Sequence, residues 1–159
     1  MTFIEAYHVG IVVADLDASC EEFSDLLGIR WATPQDRDFT VQTQDGEVPT
    51  RFRVTYSTRE SGEMLIELIE GPRGSPWWPG DGVSAALHHV GFFSHELAVT
   101  SAQLSAQGAA RDTTVLGDDG APRGFAYHLL QHGPRIELVD RARRPQLEAW
   151  LQGGDFPQA

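Results

Sequence analysis

Apolar and polar positions in this chain fall into two runs that echo each other. Residues 4–13 are rich in β-branched residues and predict a strand. Phe23, Leu26 and Leu27 then share one helical face, which Gly28 ends. Asp17 or Ser19 reads as the helix cap, with Ser19-Cys20-Glu21-Glu22 matching a capping box. Residues 30–33 predict a short strand, 34–38 a polar loop, 39–43 a strand and 44–47 a turn. Residues 51–58 and 64–70 complete this half as two further strands. Residues 71–82 hold too many Gly and Pro for any regular element. After them come a strand over 86–93, a helix over 96–107 stopped by Gly108, and a strand over 110–116. Residues 125–131 and 135–139 form a closing hairpin around Gly133-Pro134. The tail predicts one short helix near residues 146–151.

Each half thus reads strand, helix, three strands, and the halves share sequence as well as pattern. His8-Val9-Gly10 recurs as His89-Val90-Gly91, an offset of 81 residues (89 − 8), and Ile66-Glu67-Leu68 recurs as Ile136-Glu137-Leu138. A unit repeated twice is a paired module. The predicted division is 1–70 for the first module, 71–85 for the connector, 86–141 for the second module and 142–159 for the tail. The first module is the longer, and its surplus falls in residues 34–50, where a loop or hairpin extension is expected. Two His and two Glu at matched places suggest a divalent ion on a pseudo-twofold axis. Imidazole and carboxylate together suit zinc, nickel, cobalt, iron or manganese. The bland alternative puts the four on solvated faces. Against it, Glu67 and Glu137 sit inside strongly apolar strands, where an unpaired carboxylate is costly.

Composition narrows the partners. Twelve Lys+Arg against 23 Asp+Glu give a net charge of −11, a field that repels nucleic acids and anionic membranes. No apolar run approaches the roughly 20 residues of a spanning helix. The N-terminus has no basic region followed by an apolar one, so it does not read as a signal peptide. Cys20 is the single cysteine, which excludes an internal disulfide and a CxxC site. A cytoplasmic protein is expected.

The ordered set His8-Val9-Gly10-Ile11-Val12-Val13, Asp15-Leu16-Asp17, Ile66-Glu67-Leu68, Leu87-His88-His89-Val90-Gly91 and Ile136-Glu137-Leu138-Val139 resembles the vicinal-oxygen-chelate superfamily. That superfamily holds glyoxalase I, methylmalonyl-CoA epimerase, bleomycin-resistance proteins and extradiol dioxygenases. The resemblance covers residues 4–140. It implies an α+β fold of two βαβββ modules paired into one curved, incomplete-barrel mixed sheet with outer helices. It places His8, Glu67, His89 and Glu137 at the metal positions. A full set of four resembles the isomerase and epimerase branch, whereas dioxygenases use three protein ligands. It implies a small-molecule substrate with adjacent oxygens, and a homodimer is expected.

On this reading Glu67 or Glu137 is the general base for a C–H beside a carbonyl. Glu137 is preferred, on resemblance to the epimerase branch. An even hairpin loop at Gly133-Pro134 puts His128 on the face of Glu137, and an odd one puts Tyr127 there. The same ambiguity sets Arg51 and Arg53 against Phe52 and Tyr56; Arg53, Tyr56 and His128 are carried as pocket candidates. Trp77 and Trp78 either pin the connector to the core or form an apolar lip over the pocket. Alternation sends His88 away from His89, to a structural role. The runner-up function is a non-catalytic binding protein that sequesters a drug or metabolite, and a third is an iron-dependent dioxygenase.

Overall fold

A computed structural model of the protein describes residues 4–154. The first half contains β1 (Glu5–Val13), α1 (Leu16–Leu27), β2 (Gln35–Thr43), β3 (Gly46–Tyr56) and β4 (Leu65–Glu70). The second contains β5 (Ala85–Ser94), α2 (Leu97–Ala106), β6 (Ala110–Leu116), β7 (Pro122–Leu129) and β8 (Arg135–Asp140). The C-terminal α3 spans Arg144–Leu151. Around the sheet the strands run β1-β4-β3-β2-β6-β7-β8-β5, and the ring closes. The expectation of an incomplete barrel is therefore corrected. Closure comes from two seams between the halves. The β1·β5 seam is antiparallel and long, from Glu5↔Phe93 to Val13↔Ala85. The β2·β6 seam is only Gln42↔Thr114 and Thr43↔Thr113. Within each half one pairing is parallel, β1·β4 and β5·β8, so the sheet is mixed.

The helices α1 and α2 cover the outer face of the barrel. Val13, Leu16 and Leu68 form the cluster under α1, with Cys20 and Trp31 against it. Leu97, Ala126 and Leu138 form its counterpart under α2. The helix α1 is capped by Asp15, whose side chain accepts from the Ala18 N–H at 2.9 Å. Ser19, expected to cap, instead donates its hydroxyl to the Asp15 carbonyl from within the first turn. Gly28 ends the helix in the left-handed region at φ 70°, where a side chain would be strained.

Two expectations for residues 30–50 change. Residues 30–33 hold only an isolated bridge, Trp31↔Ser57. Residues 35–38, expected as loop, open β2, which pairs with β3 without interruption from Gln35↔Val54 to Thr43↔Gly46. The surplus in the first half is thus a long two-stranded ribbon. Its Asp36 and Asp38 face solvent while Arg37 is buried, so the alternation is regular but its inward residue is charged. The connector is fastened by Trp77, which is 1% exposed, stacks near Phe52 and donates its indole N–H to the Tyr127 hydroxyl at 3.1 Å. Among the described residues no helix is long and apolar enough to cross a membrane.

Candidate metal centre

His8 on β1 and His89 on β5 meet across the long seam. Their Nε2 atoms are 2.7 Å apart, and both rings are fully buried. Glu67 on β4 and Glu137 on β8 reach the same point from the parallel neighbours of those strands. The Glu67 Oε2 atom lies 3.4 Å from His8 and 3.2 Å from His89, and the Glu137 Oε2 atom 3.2 and 3.5 Å from them. All four residues come from one chain, and one ligand atom from each falls within 4.8 Å of the others.

The His-Val-Gly motif has a reciprocal purpose. His8 pairs with Gly91 and His89 with Gly10. A Cβ added at Gly10 would fall inside the His89 ring, and one at Gly91 inside the His8 ring. Each glycine clears the space that the other half's histidine occupies. The register also slips just before each histidine, between Ala6 and His8 on β1 and between Leu87 and His89 on β5. These bulges release Tyr7 and His88 from strict alternation. Tyr7 consequently lines the barrel interior, beside His8 with ring centroids 4.3 Å apart.

His88 is corrected from the opposite face to a partner of His89, their Nδ1 atoms 2.9 Å apart. Its Nε2 is 2.9 Å from the Pro76 carbonyl and 2.5 Å from Arg135. Burial, then the charges of His89 and Arg135, hold its pKa down to about 3, so it is neutral. A neutral His88 that accepts the Nδ1–H of His89 leaves the His89 Nε2 lone pair facing the cluster.

Charge decides what the cluster can hold. Burial pushes the Glu67 and Glu137 carboxyls up, but the neighbouring His8 and His89 imidazoles outweigh it and hold both well below the usual range. Burial pulls His89 down, yet Glu137 and Glu67 raise it to about 9; His8 is raised by the same carboxylates. Two imidazoles cannot both carry a proton on nitrogens facing each other at 2.7 Å. One proton between them leaves a net negative charge in a buried site. In addition, Oε2 of Glu67, Oε2 of Glu137 and Nδ1 of His8 are buried with no hydrogen-bond partner. Such orphaned buried polar atoms are costly. A divalent cation satisfies both carboxylate atoms and balances two carboxylates with two neutral imidazoles. The five separations that involve a histidine, 2.7–3.5 Å, are also those of ligand atoms around an ion with bonds of about 2.1 Å. The residues present fit a divalent metal.

The carboxylates form one wall of a cavity of ≈ 110 Å³ inside the barrel. Tyr56 and Trp77 line it. Arg53, Trp78 and His128 do not. Arg53 points outward, its guanidinium nitrogens 3.0 Å from both oxygens of Asp17 on α1. His128 faces α2: it is buried, bonded to the Ser101 hydroxyl and the Ala109 carbonyl, each at 2.9 Å. The β7–β8 loop, residues 130–134, is odd in length, so Tyr127 is the residue paired with Glu137 and facing in. Sequence reasoning missed Arg37 and Arg143, which also line the cavity. The signal for Arg37 was its place in the alternation of residues 35–41. Arg143 sits in the tail, where there was no pattern to read.

Solved structures similar to this chain share its fold. Methylmalonyl-CoA epimerase from Mycobacterium tuberculosis superposes with a TM-score of 0.62 at 21% identity, over 89% of this chain and 91% of that one. A hypothetical protein from Bacillus halodurans C-125 gives 0.59 at 16% identity, over 87% and 94%. A mutant of 4-hydroxymandelate synthase from Streptomyces coelicolor gives 0.55 at 16% identity, over 88% of this chain and 39% of that one. No curated protein sequence matches the chain. A family model matches residues 7–127, and by that match the chain belongs to the Glyoxalase/Bleomycin resistance protein/Dioxygenase superfamily.

Proposed function

We propose that the protein is a metal-dependent isomerase, epimerase or lyase that moves a proton on a carbon next to a carbonyl. The observation that carries this reading is the buried His8, Glu67, His89 and Glu137 cluster, with its two orphaned carboxylate oxygens at the cavity wall. A divalent ion held by these four supplies Lewis-acid polarisation of a substrate oxygen. Glu137 accepts the proton from the acidic carbon, and Glu67 contributes charge balance and geometry. Both carboxylates are held ionised and both reach the cavity, so either can face a planar intermediate from its own side. The phenols of Tyr7, Tyr56 and Tyr127 stay protonated: burial raises each well above its ordinary value, and the nearby carboxylates add to this. They therefore serve as hydrogen-bond donors and not as bases. The epimerase neighbours agree with the reading.

The test begins with metal analysis of protein purified without added metal, before and after reconstitution, beside His89→Ala. Absence of a stoichiometric divalent ion from reconstituted wild type ends the reading. Deuterium wash-in to 2-oxo and 2-hydroxy acids and acyl thioesters then separates the two carboxylates at matched metal occupancy. Glu137→Gln lowers exchange by about 10² or more, the usual worth of a positioned base, and Glu67→Gln lowers it less. Reversal of that order reassigns the base. A sequestering protein, favoured by the aromatic walls of the cavity, would bind ligand and return it unexchanged.

A further inference from the structure

The two halves of the cluster are built alike but supported differently. In the first, Tyr7 precedes His8 and Tyr56 pairs with Glu67; in the second, His88 precedes His89 and Tyr127 pairs with Glu137. The Nδ1 of His8 is buried without a hydrogen-bond partner, so nothing holds that ring from behind. The Nδ1 of His89 has His88 at 2.9 Å. The rings of His88, His89 and Tyr127 form a triangle, with centroids 5.0–5.3 Å apart.

Two adjacent residues of the connector grip that triangle. The Pro76 carbonyl lies 2.9 Å from His88 Nε2, and the Trp77 indole N–H donates to the Tyr127 hydroxyl at 3.1 Å. The chain around this pair is folded on itself. The Ser75 N–H donates to the Pro72 carbonyl at 3.0 Å, and the Trp78 N–H to the Ser75 carbonyl at 3.1 Å. The Ser75 hydroxyl accepts from the Trp77 N–H at 3.3 Å. Gly71 lets the turn close: a Cβ there would meet Trp77 Cβ and Ser75 Oγ, each at 2.7 Å. Groups behind a metal ligand orient it, and their loss commonly costs 10–100-fold in affinity. Here the partner of one ligand and the cross-strand neighbour of another hang from the same two residues. Coupling between two sites is reciprocal, so a segment that places ligands is itself fixed by the ion they hold.

We propose that Pro76 and Trp77 are positioning residues for the metal centre: they hold His88 and Tyr127, and through them His89 and Glu137, so that metal occupancy and connector order rise and fall together. The second half of the site is thus set by the connector, while the first half is set by the barrel alone. This rests on the metal reading of the cluster but not on the proton transfer.

The experiment is amide exchange of the full chain, metal-free and zinc-loaded, beside zinc competition on variants. The reporters are the Trp77 and Trp78 amides, both bonded to Ser75. Zinc slows them by about tenfold or more in wild type and by about threefold or less in His88→Ala, where the link to Pro76 is cut. Gly71→Ala, which pushes on Trp77 from outside the cluster, weakens zinc about tenfold. Trp77→Phe keeps a ring in the cavity wall, loses the bond to Tyr127 and weakens zinc about fivefold. Gly71→Ala and His88→Ala combined lose well under the product of their separate losses, because they act along one route; a merely destabilising change would multiply in full. If Gly71→Ala fails to fold, the amide comparison between wild type and His88→Ala decides alone. Zinc that binds wild type yet leaves both amides unchanged, unchanged zinc affinity in both Gly71→Ala and Trp77→Phe, or losses that multiply in full overturn the proposal and leave the metal reading standing. Failure of zinc to bind reconstituted wild type overturns both.

Discussion

Gly10→Ala is a one-carbon change that should empty the site. The added Cβ occupies the volume of the His89 imidazole. The backbone of β1 cannot retreat, because it is paired to β4 on one side and to β5 on the other. The ring must therefore rotate away, which removes one of the four proposed metal ligands and breaks the 2.9 Å contact with His88. Overpacking of this kind costs about 1–3 kcal/mol of stability. Loss of a direct ligand should exceed the 10–100-fold typical of an outer partner, so zinc affinity falls by about 100-fold or more, equivalent to roughly 2.7 kcal/mol. The assay is zinc competition against a chromophoric chelator, with thermal melting of the metal-free protein alongside. Leu104→Ala, on the outer cluster under α2, controls for instability and keeps its zinc. Gly91→Ala should behave as Gly10→Ala does, acting through His8. Zinc binding by Gly10→Ala within about threefold of wild type would refute the interlocking of glycine and histidine.

Three further outcomes are expected. His88→Ala lowers zinc affinity about 10–100-fold without removing a ligand, and His88→Gln recovers part of it, measured by the same competition. In metal-free protein His89 is raised from about 6.5 to about 9, so its contribution is full below pH 6.5 and is lost as pH climbs through 9. Urea melts of chelator-treated protein should thus weaken over that window by up to roughly 3 kcal/mol, the zinc-loaded form should not, and zinc affinity should rise with pH; a flat profile in both forms contradicts the assignment. Residues 1–70 and 86–159 expressed separately should fail to give two independently melting, well-dispersed fragments, because each leaves open a barrel face that the other covers.

The repeat made the cluster legible. Matched His-Val-Gly and Ile-Glu-Leu strings predicted which four residues to watch, and the strands carrying them lie where periodicity put them. What stayed hidden was non-local. No local pattern announces a bulge, so His88 was sent to the wrong face. The odd loop at residues 130–134 needed a strand end placed to the residue, which sequence does not give, and this traded His128 for Tyr127. Residues 35–38 looked like loop because a buried Arg37 breaks the apolar-in rule, although the alternation itself was intact. Ring closure depends on two residue pairs contributed by separate halves, and neither half shows it alone.

That last seam gives the barrel a clasp. With two paired positions against the long β1·β5 ladder, Gln42, Thr43, Thr113 and Thr114 are where the ring can part at least expense of hydrogen bonds. Phe39 and Phe125, on the strands at and next to this join, also line the cavity. Parting the clasp therefore offers a side door beside the aromatic wall, one that leaves the β1·β5 ladder with His8 and His89 in place. Amide exchange at residues 42–43 and 113–114 should then run ahead of exchange at residues 8–12, and ligand that fills the cavity should slow the first set without touching the second.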